Sequence, residues 1–215
     1  PIKESTVQKY LTVVSAVLSD AKRNEIIQKN PARMIDLPQC EQSKQFVPTD
    51  EEAQLLLTEF CNLPLTYETY YVLAMFTGCR RGELCALKWS DVTIYDNYDW
   101  ATINISRSRS SVPGNGIVEG STKSGRSRTV AVDSDIAGLI ACLYTEKERE
   151  ANERGEELSE YIFTNEHGKL IHPDTFSKTL RKIYDSIGLP HEFHLHTLRH
   201  YYVTTLPVSY THLRA

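Results

Sequence analysis

The chain has 215 residues, of which 40% are hydrophobic and 24% are charged, and these values are ordinary for a globular protein in water. No apolar run approaches the length that spans a membrane, and the N-terminus lacks the basic-then-apolar pattern of a signal peptide, so we expect a cytoplasmic protein with no membrane partner. The five cysteines are scattered without a C-x-x-C pair, which argues against a disulfide framework and against a zinc site.

The formal net charge is −4, and the distribution of charge along the chain is more informative than this sum. Residues 146–160 hold seven glutamates against three basic residues, whereas residues 101–130 hold five basic residues against the single acid Glu119. The second stretch is therefore modestly basic. Taken alone, it is most simply a hairpin with solvated charges.

Hydrophobic spacing predicts a first helix over 5–27, and a polar linker follows over 33–46. Thr49 and Glu52 form a capping-box pattern, which predicts that another helix begins there. Further helices are predicted at 67–76, 81–88, from 133 into the acidic stretch, at 175–187 and at 196–206. Strands are predicted at 102–107, 116–122, 127–132 and 161–163, with a turn near residues 124–125. The expected fold is therefore α+β and mostly helical, with a small antiparallel sheet.

Two short motifs, far apart in sequence, each contain an arginine. Residues 77–84 read T-G-C-R-R-G-E-L and include Arg80, and residues 196–200 read H-T-L-R-H and include Arg199. Two guanidinium groups that meet at one point can hold a single phosphate group. His196 lies one helical turn before Arg199, where it can donate a hydrogen bond or move a proton at the same place. This combination predicts chemistry on a phosphodiester without a metal ion.

The two motifs resemble those of the tyrosine recombinases, the family of phage and transposon integrases. The first motif continues through Leu87, Trp89 and Asp91 as that family's does, and the lysine that the family carries on a β-hairpin matches Lys123. The resemblance implies an incomplete catalytic domain at 47–206. It also implies that 1–32 is the C-terminal part of a helical core-binding domain and that 33–46 is the linker between the two.

By resemblance, the reaction is a transesterification in which a tyrosine attacks a DNA phosphodiester and forms a 3′-phosphotyrosyl intermediate. The phosphoester energy is kept in that intermediate, so no ATP or other cofactor is expected. The resemblance assigns Arg80 and Arg199 to the phosphate clamp, His196 to a hydrogen bond on the same phosphate, and Lys123 to protonation of the leaving oxygen. Four further arginines are candidates for contacts with the DNA backbone: Arg81, Arg107, Arg126 and Arg128.

Other interpretations exist for several of these residues. Glu83 orients an arginine or is an ordinary solvated glutamate, and the sequence favours neither; His200 is expected to pack or to orient a neighbour. His194 and His196 form an H-x-H pair, but without a third ligand a metal site is not expected. Lys123, taken by itself, would be a hairpin lysine that touches the DNA backbone.

Two other functions remain open at this point, a type IB topoisomerase and a non-catalytic DNA-binding module. The wording of both motifs fits the recombinases better than the topoisomerases. A pure DNA-binding module has no need for all four of the residues that match the catalytic set, so their joint presence argues against it.

The nucleophilic tyrosine has no match in this chain. The family reaches it only after a further helix and a Gly-His or Gly-Trp motif, and Tyr201, Tyr202 and Tyr210 do not stand in that position. We therefore expect a fragment that is truncated at both ends, carries a non-native tail at 207–215, binds DNA weakly and does not cleave it. For the full-length protein, the resemblance implies double-stranded DNA as the partner and a homo-tetramer assembled on it.

Overall fold

The computed structural model describes residues 2, 4–35, 46–112, 114, 116–122, 125–190 and 193–212, and of 205–212 it describes only the backbone. The chain divides into two compact units, Pro1–Lys44 and Gln45–Ala215. None of the helices in these ranges is both long and apolar enough to cross a lipid bilayer.

The first unit contains one long helix, α1 (Glu4–Arg23), and a short 3₁₀ helix at Pro31–Met34. Asn30 joins the two: its side-chain amide donates to the Ser19 hydroxyl at 2.8 Å, and its Oδ1 accepts from the backbone of Ala32 at 2.9 Å. Helix α1 ends four residues before the predicted end at residue 27, because Glu25 adopts a left-handed conformation with φ of 58°.

In the part of the second unit that the structure describes, six α-helices pack around a core built on aromatic rings. Tyr70 stacks on Phe176 with ring centroids 3.6 Å apart, and both rings are fully buried. The helices are α2 (Asp50–Cys61), α3 (Leu65–Thr77), α4 (Arg81–Leu84), α5 (Ser134–Arg154), α6 (Pro173–Ser186) and α7 (Leu195–His212). The predicted capping box is present at the start of α2, where Thr49 and Glu52 bond each other's backbone amides.

Among the described residues, five strands form two small antiparallel sheets. The strands are β1 (Val92–Tyr95), β2 (Trp100–Ile105), β3 (Arg107–Val112), β4 (Gly116–Ser121) and β5 (Arg128–Asp133). Strand β2 lies between β1 and β5, with Ile103 opposite Val130, and β3 pairs with β4 alone. The mostly helical α+β architecture with a small antiparallel sheet is thus confirmed.

The strand prediction was wrong in detail. Strand β4 does not pair with β5 across residues 124–125, since its partner is β3. No strand was predicted at β3, because its sequence R-S-R-S-S-V lacks alternating apolar residues. Residues 161–163 form an isolated bridge from Tyr161 to Lys88 and no strand of their own.

Two helix ends also differ from their predicted positions. Helix α4 ends at Leu84, four residues before residue 88, and successive turns then lead into the first sheet. Helix α7 continues to His212, six residues beyond the predicted end. A helix can continue past a proline such as Pro207 with the loss of one backbone hydrogen bond. The non-native origin of 207–215 stays a prediction.

Candidate active site

Arg80 lies in a tight turn between two helices. Helix α3 ends at Gly78, which has φ of 58°, a conformation that favours glycine, and Arg80 is extended at the N-cap of α4. The backbone N–H of Arg80 donates to Oε2 of Glu83 at 2.9 Å. The T-G-C-R-R-G-E-L motif thus specifies the end of one helix, an extended residue and the start of the next helix. This order of conformations fixes the backbone position from which the side chain of Arg80 extends.

Glu83 holds a buried carboxylate between two arginines. Its Oε1 accepts from Nη1 of Arg80 at 2.9 Å and its Oε2 accepts from Nη2 of Arg128 at 2.7 Å, while its own side chain has no exposed area. Burial raises the pKa of Glu83, but the hydrogen bonds from Arg128 and from the backbone and side chain of Arg80 outweigh it and lower the pKa to about 2. Glu83 is therefore a buried, ionised group that positions two guanidiniums.

Arg199 approaches Arg80 from helix α7. Its Nη1 donates to the carbonyl oxygen of Gly78, two residues before Arg80. The ring of Tyr202 packs so closely on Gly78 that no Cβ would fit there. Partial burial and the positive charge of Arg80 both lower the pKa of Arg199, which places the two guanidiniums in one electrostatic environment. The two motifs, 120 residues apart, therefore meet.

His196 lies beside both arginines at the start of α7. Partial burial lowers its pKa, and His194, His200, Arg199 and Arg80 lower it further. The ring of His196 is 6.2 Å from that of His200 and 6.1 Å from that of His194. Because its pKa lies below the ordinary 6.5, the imidazole is mostly neutral at pH 7, and an anion placed there would favour its protonated form.

A cavity of about 480 Å³ adjoins these groups, and both Arg80 and His196 line it. Its other polar walls come from α4, α6, β3 and the start of α7: Arg81, Ser108, Arg109, Ser110, Ser177, Arg181 and His194. Apolar residues complete the lining, and the arginine, serine and histidine side chains among the polar walls are groups that suit a phosphate oxygen.

Gly82 lets the β3–β4 hairpin approach helix α4. A Cβ on Gly82 would lie 2.5 Å from the backbone oxygen of Arg109 and 2.5 Å from the Ser108 hydroxyl, which no real side chain tolerates. The glycine of the R-x-G-E-L motif is thus required by close packing, and it brings β3 to the wall of the cavity.

Three of the four DNA-backbone candidates are paired with carboxylates: Arg128 with Glu83, as described above, and Arg81 and Arg107 with two others. Arg81 Nη1 lies 2.6 Å from Asp174 and 3.3 Å from the Ser177 hydroxyl, which joins α4 to α6. Arg107 Nη2 lies 2.5 Å from Asp91, whose side chain is only 8% exposed. Both guanidiniums therefore hold elements of the fold together.

Two of the predicted site residues remain to be placed: Lys123 and Arg126. Lys123 lies outside the described residues, but its neighbour Thr122 is buried and donates to the carbonyl of Arg126 at 2.8 Å, which closes the turn. Arg126 is exposed, and Arg128 binds Glu83. Within the described ranges, three or more His, Cys, Asp or Glu side chains nowhere gather as they would around a metal ion.

The position of Arg128 was missed, although the sequence contained a signal for it. In the strand pattern R-T-V-A-V, Arg128 shares a face with Val130 and Val132, the apolar positions of β5. An arginine on the inward face of a strand needs a buried anion, and Glu83 is that anion.

The sequence analysis also missed a second cluster. Arg109 lies over the ring of Tyr161, whose hydroxyl donates to Glu119 at 2.9 Å.

Comparison with known proteins identifies relatives among integrases. The Integrase of Mycobacterium phage L5 is 30% identical over 203 residues, which cover 92% of this chain and 50% of that protein. The ICEBs1 integrase of Bacillus subtilis (strain 168) is 24% identical over 207 residues, which cover 95% of this chain and 55% of that protein. The chain thus spans about half the length of these curated relatives.

Solved structures share the fold. The Tn1549 transposon integrase, in complex with transposon right end DNA, superposes with a TM-score of 0.81 at 16% identity, covering 97% of this chain and 68% of that chain. A lambda integrase dimer bound to a core site gives a TM-score of 0.58 at 17% identity, covering 93% and 51%. Residues 47–214 also match the model of the Phage integrase family. With its two arginine motifs, its fold and this match in agreement, the chain belongs to the phage integrase family.

Proposed function

We propose that this chain is part of a site-specific DNA recombinase, or integrase, that cuts and rejoins DNA by transesterification. The hydroxyl of a tyrosine attacks a DNA phosphodiester, a 3′-phosphotyrosyl bond forms, and the 5′-oxygen leaves with a proton. A 5′-hydroxyl of another strand then attacks that bond and releases the tyrosine. Membership of the phage integrase family supports this reaction class.

The observation that carries the proposal is that Arg80 and His196 line one cavity and that Arg199, bound to the carbonyl of Gly78, lies in the electrostatic environment of both. The Arg80 side chain gives one donor to Glu83 and is still 36% exposed, so further donors remain for a phosphate oxygen. In this role the two guanidiniums stabilise the charge that develops on the pentavalent phosphorus, and His196 donates to the same group. Lys123, matched by motif alone, protonates the leaving oxygen.

We also propose that the nucleophile is none of the tyrosines closest to Arg199 in sequence. The hydroxyl of Tyr201 donates to Asp50 at 3.3 Å, and the ring of Tyr202 packs on Gly78. The side chain of Tyr210 lies outside the described residues. This chain is accordingly expected to bind DNA without forming a covalent bond to it, and a nicked duplex analysed on a denaturing gel tests that expectation through the presence or absence of a protein–DNA adduct.

The rejoining half of the reaction can be tested without a tyrosine in the protein. A strand that ends in a 3′-p-nitrophenyl phosphate imitates the phosphotyrosyl intermediate, and it is annealed beside a strand with a free 5′-hydroxyl. The 5′-oxygen attacks phosphorus, the P–O(aryl) bond breaks and p-nitrophenolate leaves. We expect the chain to accelerate both the joining of the strands and the release of p-nitrophenolate.

Arg80→Ala and Arg199→Ala should each slow the joining by at least about tenfold, because a preorganised donor to the transition state is lost. Arg149→Ala is the matched control, since Arg149 is an exposed arginine paired with Glu153 on α5. A rate with the wild-type chain equal to that of the annealed DNA alone would overturn the proposed function.

For the whole protein we propose double-stranded DNA as the partner and a homo-tetramer as the assembly. A structural neighbour described as a lambda integrase tetramer bound to a Holliday junction supports this stoichiometry. Sedimentation of the whole gene product with a four-way DNA junction should give four copies per junction. A complex that saturates at two copies would contradict the proposal.

A further inference from the structure

Arg128 and Arg80 divide one buried carboxylate between them. The oxygen Oε1 of Glu83 faces Nη1 of Arg80 at 2.9 Å, and Oε2 faces Nη2 of Arg128 at 2.7 Å. The backbone N–H of Arg80 donates to the same Oε2 at 2.9 Å. Arg128 thus occupies the oxygen that a second donor of the Arg80 side chain would otherwise take.

The geometry of guanidinium groups makes this competition important. An arginine next to an unshared carboxylate binds it through two parallel N–H···O bonds. Such a fork would turn a second donor of Arg80 towards Glu83 and away from the cavity. Because Oε2 is already filled, Arg80 binds Glu83 through one nitrogen of its side chain.

The charges around Glu83 also favour a phosphate at this place. Arg80, Arg128 and Arg199 lie around the single carboxylate of Glu83, with the Cys79 sulfur 3.8 Å from Nη2 of Arg128. Three positive charges therefore face one negative charge. A phosphate group brought to this cavity meets an excess of positive charge that Glu83 alone does not cancel.

We propose that Arg128 is a positioning residue of the phosphate site: by holding Oε2 of buried Glu83, it keeps Arg80 bound through one nitrogen and leaves the outer donors of Arg80 directed at the phosphate. This assignment replaces the DNA-backbone role expected from the sequence, and it rests on the proposed function in so far as the anion is a DNA phosphate. Arg128 touches neither substrate nor reacting atoms in this account.

The test measures Glu83 and phosphate binding separately, in the wild-type chain and in Arg128→Met, Arg128→Lys and Arg149→Met. Carbon-13 labelling of the glutamate carboxyls gives the pKa of Glu83 by NMR. We expect about 2 in the wild type, and in Arg128→Met the pKa should rise towards or above the ordinary glutamate value of 4.5, because burial is then opposed by fewer donors. Arg128→Lys keeps one donor and should give an intermediate value, and Arg149→Met should change nothing.

The second readout is the dissociation constant of inorganic phosphate, which should increase at least fivefold in Arg128→Met and less than twofold in Arg149→Met. An unchanged Glu83 pKa in Arg128→Met, or an unchanged phosphate affinity alongside a raised pKa, would overturn the inference. A different outcome is that the wild-type chain binds no phosphate while the Glu83 pKa shifts as expected in Arg128→Met. In that case the proposed function is wrong, and the data support only the contact between Arg128 and Glu83. Circular dichroism verifies the fold of each variant. If Arg128→Met does not fold, Arg128→Lys provides the test, because it retains a positive charge at this position.

Discussion

At the scale of single residues, the buried charge of Glu83 links the stability of the fold to the geometry of the candidate active site. Its carboxylate has no exposed area and depends on Arg80 and Arg128 for its hydrogen bonds. Buried carboxylates of this kind are stable only when their donors are in place. The same contacts that position Arg80 therefore contribute to the free energy of unfolding.

The first prediction concerns the pH dependence of that contribution. The pKa of Glu83 falls from an ordinary 4.5 to about 2 on folding, which corresponds to roughly 3 kcal/mol of stability. Because the folded-state pKa is the lower one, this stability is complete above about pH 5 and disappears as the pH falls towards 2. Urea unfolding should show Glu83→Gln to be less stable than the wild type by roughly this amount at pH 7, with the difference shrinking below pH 5. A difference that stays constant down to pH 2 would be inconsistent with an ionised Glu83.

The second prediction concerns His196. Its pKa lies below the ordinary 6.5 because of partial burial and neighbouring positive groups. Binding of a phosphate dianion should raise that pKa, since the anion favours the imidazolium form. Proton NMR titrations of His196 with and without phosphate measure both values. His167, an exposed histidine beside Glu166, is the control, and its NMR signals should not respond to phosphate.

The sequence predicts the role of a residue well when the contacts of that residue lie within a short motif. Arg80, Glu83 and Arg199 stand in short motifs whose spacing is itself informative, and the structure brings them together. Arg107 and Arg128 were assigned to DNA from local charge alone, although each pairs with a carboxylate distant in sequence, Asp91 and Glu83 respectively. No short window of sequence contains such a pair.

At the scale of elements, the site depends on how closely α4 and β3 approach. The third prediction compares two glycines. Gly82→Ala should destabilise the chain by roughly 1–3 kcal/mol, because its Cβ meets the backbone oxygen of Arg109 at 2.5 Å and β3 must move. Gly138→Ala should instead stabilise it by roughly 0.5–1 kcal/mol, because Gly138 lies within α5 and has open space at its Cβ position.

Thermal or urea unfolding measures both variants. Gly82→Ala should also weaken phosphate binding, since β3 forms one wall of the cavity, whereas Gly138→Ala should leave it unchanged. Equal stabilities for the two alanine variants would show that β3 does not pack on α4 as described.

Elements were predictable from sequence where periodicity and caps agree. Helices α2, α5 and α6 have both apolar spacing and a side chain that caps the first turn, and α3 has apolar residues alone; all four form close to the predicted positions. Strand β3 is serine-rich and polar, and it exists because β4 pairs with it and α4 packs on it. Tertiary contacts of this kind leave no periodic trace in the sequence.

At the scale of the whole molecule, the separation of charge explains how a chain of net charge −4 can be directed at DNA. The acidic residues concentrate in the distal part of α5 and in the segment after it, while the cavity carries arginines and histidines. Local potential, more than total charge, determines where a polyanion binds.

The fourth prediction follows from this separation. The dissociation constant for duplex DNA should increase by roughly ten- to a hundredfold between 50 and 200 mM salt, because counterions leave the phosphates on binding. Exchanging two exposed acids, Glu148→Gln and Glu157→Gln, changes the net charge from −4 to −2. Fluorescence anisotropy should nevertheless give the same salt slope for this double variant, since the slope counts phosphate contacts. A flat salt response of the wild-type chain would contradict the proposed DNA partner.

The central claim is that Arg80 and Arg199 hold the same anion, and phosphate titration of a chain with nitrogen-15-labelled arginines tests it most directly. The guanidinium NMR signals of both residues, assigned through Arg80→Lys and Arg199→Lys, should shift together and fit a single dissociation constant, while the signal of Arg149 stays in place. Signals that fit two different constants, or a shift confined to one of the two arginines, would show that the clamp does not exist.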